Sequence, residues 1–92
     1  MKSIIQNNKE CFICRTTYNL EDHHIFGGNN RKHSEKYGLK VWLCRNHHTG
    51  DCGVHQIPGL MTRIRRIGQQ AFEDRWGDRE DFLQIFRRNY LG

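Results

Sequence analysis

Cys11-Phe-Ile-Cys14 and Cys44-Arg-Asn-His47 place the strongest constraint on how this chain can fold. Two residues between donors let both reach one tetrahedral ion, and the second pair repeats that spacing about 30 residues after the first. Together the four side chains form a Cys3His set, a composition that structural zinc sites use. An ion held there clamps the start of one strand to the end of another.

The clamp matters because little else is available. A chain of 92 residues is one domain, and 36% hydrophobic content with a mean hydropathy of -0.86 builds only a small core. Chains of this size commonly need a metal or disulfides. The opening "MKSIIQNNKE" has no apolar run of secretory-signal length, and no stretch approaches the roughly 18 apolar residues of a membrane span. A cytoplasmic, reducing compartment is therefore expected, where spaced Cys and His more often mean zinc than disulfide. Cys52 is left either as a free thiol or as a replacement for His47, and the spacing favours His47. A net charge of +5 and a pI near 9.3 point to an acidic partner, of which nucleic acid is the usual one, and no membrane partner is expected.

The sequence divides into residues 11–56, rich in Cys and His, and residues 57–92, helical in pattern. In the first part a cysteine turn leads into a short strand ending at "EDHHIF". "GGNNRKHSEKYG" reads as a loop, with His33 solvated in it. "LKVWLC" reads as a second strand, with Val41 and Leu43 on one side and Trp42 on the other. In the second part Pro58 suits a first helical turn, and Leu60, Ile64, Ile67, Ala71 and Phe72 recur at helical spacing to about residue 75. The other faces of that helix carry Arg63, Arg65, Arg66, Gln69 and Gln70. Asp78 is an N-cap for a second helix whose apolar side is Phe82, Leu83, Phe86 and Tyr90, and Trp76, Phe82 and Phe86 are expected to pack the two helices together. Arg63, Arg65 and Arg66 are a candidate phosphate-contacting cluster, with a merely solvated face as the alternative.

The Cys3His set leaves His23, His24, His48 and His55 over. His23 and His24 are adjacent in a strand, so they point to opposite faces and suit two different jobs. "DHHIFGG", "VWLC", "HH" and "GVH", bracketed by paired Cys knuckles, resemble the HNH endonuclease family of ββα-metal fold over residues 11 to about 56. The combination looks most like small HNH proteins of bacteriophages and prophages. The fold this implies is α+β: a zinc-stapled ββα-metal core followed by two C-terminal helices.

The resemblance also implies roles. His23, His48 and His55 match the ligands of a catalytic divalent cation, Mg2+, Mn2+, Ni2+ or Zn2+, and His24 matches the general base. The family's middle Asn has no counterpart before the second strand, where this chain has "YGLK", and Asn29 or Asn30 is left to take its orienting role from the loop. His48 and His55 are further apart than the common helical i, i+4 pair, so "TGDCGV" must turn back to return His55. The activity implied is metal-assisted hydrolysis of DNA, a monomer nicking one strand. The rivals are a zinc-stapled nucleic-acid-binding or adaptor module with a degenerate site, and a regulatory module that binds protein through its C-terminal helices. A pure binding module has no need of His24, His48 and His55.

Overall fold

The computed structural model describes residues 2–92. It is a small α+β fold with one two-stranded antiparallel sheet: β1 (Leu20–His24) pairs with β2 (Lys40–Cys44). Helix α1 (Arg31–Tyr37), entered through a 3-10 turn over Gly28–Asn30, lies between the strands in sequence. Helices α2 (Arg45–His48), α3 (Leu60–Arg75) and α4 (Arg79–Phe86) follow. None of the described helices is long and apolar enough to cross a membrane.

The strands pair with Glu21 opposite Leu43, His23 opposite Val41, and His24 opposite Lys40. Directly opposed residues of an antiparallel pair share a face. Glu21, His23, Val41 and Leu43 therefore share one face, on which Val41 and Leu43 are fully buried. Asp22, His24, Lys40 and Trp42 share the other. The expected alternation of Val41 and Leu43 against Trp42 is present.

The stretch expected to be a loop contains α1. Its residues Arg31, Lys32, Glu35 and Lys36 are good helix formers, and Gly38 ends it in the left-handed region at φ 72°. The Gly and Asn residues before it form the entry turn instead of a long loop. Buried Ser34 fixes α1 to the end of β1: its hydroxyl accepts from Phe26 N at 3.0 Å and donates to Phe26 O at 2.8 Å. His33, expected in solvent, is half-buried with its ring edge-on to Phe86 at 5.7 Å.

One apolar core runs from Cys11 through Ile25, Phe26, Leu39, Val41, Leu43 and Val54 to Ile64, Phe72, Phe82 and Phe86. Phe26 joins its two halves, with ring centroids 5.4 Å from Phe82 and 4.8 Å from Phe86. α3 crosses close above β1's exit: a Cβ on Gly68 would sit 3.0 Å from Phe26 and 3.1 Å from Ile25, so only glycine fits without displacement.

α3 begins at Leu60 after left-handed Gly59, with Pro58 in the preceding turn rather than in the helix. The register of its faces also differs from expectation. Ile67 is exposed, while Gln69, assigned to a polar face, is fully buried. Gln69 is covered by the C-terminal tail, which folds over α3. Gln69 Oε1 accepts from Tyr90 N at 2.7 Å, and its Nε2 donates to Asn89 and Glu73. Asp78 caps α4 as expected, in a reciprocal capping box with Asp81. Phe82 and Phe86 pack against Phe72. Trp76 instead leans on Tyr37 of α1 and donates to its carbonyl at 3.0 Å.

Candidate metal and nucleic-acid site

The two knuckles meet. Cys11, Cys14, Cys44 and His47 bring one donor atom each to within 4.8 Å of one another. The first pair sits on a turn in which Cys11 N donates to Thr16 O and Arg15 N to Cys11 O, both at 2.8 Å. That turn docks on β2 through Phe12 N and Trp42 O. The second pair spans the junction of β2 and α2, so a bound ion ties the knuckle turn to both.

The distances fit a tetrahedral ion. Bonds of about 2.3 Å to sulfur give a tetrahedral S···S edge of about 3.8 Å, and Cys14 Sγ lies 3.8 Å from Cys44 Sγ. His47 Nδ1 lies 3.7 Å from Cys11 Sγ and 3.1 Å from Cys44 Sγ. Without a cation the thiols compete. Burial raises the Cys11 thiol, but N–H groups of Cys14, Cys44 and Ile13 outweigh it and bring it down to about 6. Burial and the neighbouring thiols push Cys44 the other way. A bound cation removes this conflict by favouring thiolate at all three. The fourth donor is His47, and Cys52 is exposed outside the cluster.

The remaining histidines divide between the two faces of the sheet. His23 is 7% exposed, and its Nε2 has no hydrogen-bond partner among the described residues. His48, in α2, approaches it edge-on with ring centroids 5.1 Å apart. His48 Nδ1 lies 2.8 Å from Glu21 Oε1, and with the proton on Nδ1 the ring would offer Nε2 to a cation. The "TGDCGV" segment does turn back: Gly53 N donates to Gly50 O and Val54 N to His47 O. Gly53 is required there, since a Cβ would meet Gly50 O at 2.9 Å. His55 follows in an exposed turn. His23, His48 and His55 are not drawn into a single coordination sphere among the described residues.

Burial, together with the charges of His48, His55, His24 and Arg65, lowers His23 to about 4 from 6.5. Its imidazole is therefore neutral at neutral pH. The unfolded chain takes the proton more readily, so this stabilisation is complete above pH 6.5 and lost as pH falls through 4. The full difference corresponds to at most about 3 kcal/mol. Denaturant midpoints of the zinc-loaded protein should fall from about pH 7 to about pH 5, and His23→Leu should show a shallower fall. Equal slopes would show that His23 does not carry the acid sensitivity.

On the opposite face His24 is half-buried, and its Nε2 lies 3.0 Å from Glu35 Oε1. It opens onto a pocket of about 590 Å³ lined by Gly28, Asn29, Arg31, Lys32 and Glu35. Asn30 does not reach this group: its amide donates to Phe86 O at 3.1 Å and ties the start of α1 to the end of α4. Asn29 stands in the pocket wall. Glu35 and Glu21, the carboxylates that hold His24 and His48, have no signature in the sequence beyond their charge.

The three arginines are not one cluster. Arg63 and Arg66 are exposed. Arg65 is half-buried, its guanidinium 5.8 Å above the Tyr90 ring and its charge felt by His23. Its Nε has no partner among the described residues.

Comparisons with protein-family models, with curated proteins and with solved structures gave no match. Fold and site together define a small α+β protein whose Cys3His cluster can hold a metal ion.

Proposed function

We propose that this protein is a zinc-stapled endonuclease of HNH type that hydrolyses DNA phosphodiester bonds with a divalent cation, one chain nicking one strand. The observation that carries this reading is the buried His23 imidazole, whose Nε2 has no partner among the described residues and whose ring stands 5.1 Å, centroid to centroid, from that of His48. A buried polar nitrogen left without a partner is costly, and a cation at this site removes that cost. His23, His48 and His55 would hold the ion, Mg2+, Mn2+, Ni2+ or Zn2+. Bound there, it would supply charge neutralisation at the scissile phosphate and at the leaving 3′ oxygen.

The chain's own groups do the rest. His24, next to His23 at the end of β1, takes the proton of the attacking water. Water oxygen bonds to phosphorus, the P–O3′ bond breaks, the leaving 3′ oxygen takes a proton from solvent, and the products are a 5′ phosphate and a 3′ hydroxyl. Arg65 adds fixed positive charge beside His23 and attracts the phosphate. Zinc is the ion proposed for the Cys3His cluster, on its thiolate-rich donor set.

A second reading, a zinc-stapled module that binds nucleic acid without cutting it, draws on the separation of His23, His48 and His55. Supercoiled plasmid distinguishes them. The nuclease converts it to open circle with added Mg2+, Mn2+, Ni2+ or Zn2+, and stops in a chelator that leaves the thiolate-bound zinc in place. No nicking with any of the four cations overturns the nuclease reading in favour of the binding module.

DNA binding should be steeply salt-dependent and indifferent to sequence, because released counterions supply most of the affinity. Each phosphate-contacting arginine removed should lower the log–log salt slope by about 0.9. Arg63→Ala with Arg66→Ala should therefore flatten it by about 2 in a fluorescence titration. An unchanged slope would take α3 off the DNA surface.

A further inference from the structure

We infer that Glu35 is a positioning residue for His24, its carboxylate fixing the ring through Nε2 so that Nδ1 is presented to the pocket. The HNH resemblance implies an orienting role for an Asn of the loop, and here Asn30 is engaged with Phe86 O. The carboxylate of Glu35 spans two groups. Oε1 lies 3.0 Å from His24 Nε2, and Oε2 lies 2.7 Å from Lys40 Nζ.

Lys40 stands directly opposite His24 in the strand pair and is 3% exposed. A buried ammonium needs an anion. Lys40 thereby anchors Glu35 from one side while Glu35 grips His24 from the other. The backbone supporting the carboxylate is fixed as well, since neighbouring Ser34 is hydrogen-bonded in both directions to Phe26. Lys40 and His24 hold the Glu35 carboxyl down at about 2, so it is a pure acceptor at neutral pH.

A neutral imidazole facing a carboxylate through Nε2 carries its proton there. Nδ1 is then the bare nitrogen, the one able to take a proton from water. Asp22, His24 and Glu35 also gather as a set of donors that suits a metal ion. The Lys40 ammonium, 2.7 Å from Glu35 and 3.6 Å from Asp22, already supplies the positive charge there. The orienting role thus fits the group better than ion binding does.

The tautomer of His24 is measurable without any nuclease activity, by long-range nitrogen–proton spectra of zinc-loaded protein at mildly alkaline pH. The parent should show His24 protonated at Nε2 alone. Glu35→Ala should give a tautomer mixture with the rest of the spectrum retained, and Glu35→Gln, whose amide oxygen still accepts, should restore the single form. A parent protonated at Nδ1, or a His24 signal unchanged in Glu35→Ala, overturns the inference. The rate arm rests on the proposed nuclease reading. There Glu35→Ala should lower kcat about ten- to a hundredfold with KM nearly unchanged, a part of what a base supplies, and Gln should recover some of it. Nicking by Glu35→Ala at the parental rate also overturns it. If the parent never nicks while the tautomer shifts as described, the nuclease reading fails and the positioning of His24 by Glu35 stands.

Discussion

Cys44→Ser should give a chain that no longer folds and carries no tightly held zinc, whereas Cys52→Ser should fold and load metal normally. Structural zinc contributes on the order of 10 kcal/mol of apparent binding energy, comparable with the whole stability of a small domain. Cys44 is the hinge of the arrangement. It ends β2, caps α2, and sets its sulfur 3.8 Å from Cys14 and 3.1 Å from His47 Nδ1. Losing that donor frees the knuckle turn that docks on Trp42. Circular dichroism and metal analysis of the two variants, purified side by side, check this. A folded Cys44→Ser protein would mean that the core stands without the clamp.

His24→Ala should reduce nicking by about a hundred- to ten-thousandfold while fold and metal content stay near those of the parent. His23→Ala, His48→Ala and His55→Ala should instead weaken binding of the proposed catalytic cation and leave metal at the Cys3His cluster in place. The strand geometry makes the difference. His23 is buried on the face shared with Val41 and approached by His48, while His24 lies on the opposite face with Lys40 and Glu35. Metal titrations of the four variants should divide them into the same two groups.

The Cys3His cluster was legible in the sequence because it depends on local spacing: each pair needs only one turn to converge, and the two turns need only one strand pairing. The alternation of His23 and His24 was legible for the same reason, as a property of any strand. Helix α1 was hidden behind Gly27, Gly28, Asn29 and Asn30, whose turn chemistry is used at a helix entrance. The polar face of α3 differs from expectation at Gln69 because the C-terminal tail, which no helix period announces, covers it. Arg65 looked like its neighbours Arg63 and Arg66, and only packing against Tyr90 separates it from them. Glu35 and Glu21 find their histidines through tertiary approach, 11 and 27 residues apart in sequence, with no pattern to announce it.

The most direct measurement is nicking of supercoiled plasmid by the parent and by His24→Ala at matched zinc content, each with and without added divalent cation. The expected result is open circle from the parent only when the cation is present, and a rate lower by at least about a hundredfold from the variant under the same conditions. Equal cutting by the two proteins, or a parent that binds the plasmid and leaves it supercoiled with every cation, would contradict the assignment of His24 as the base of a metal-dependent nuclease.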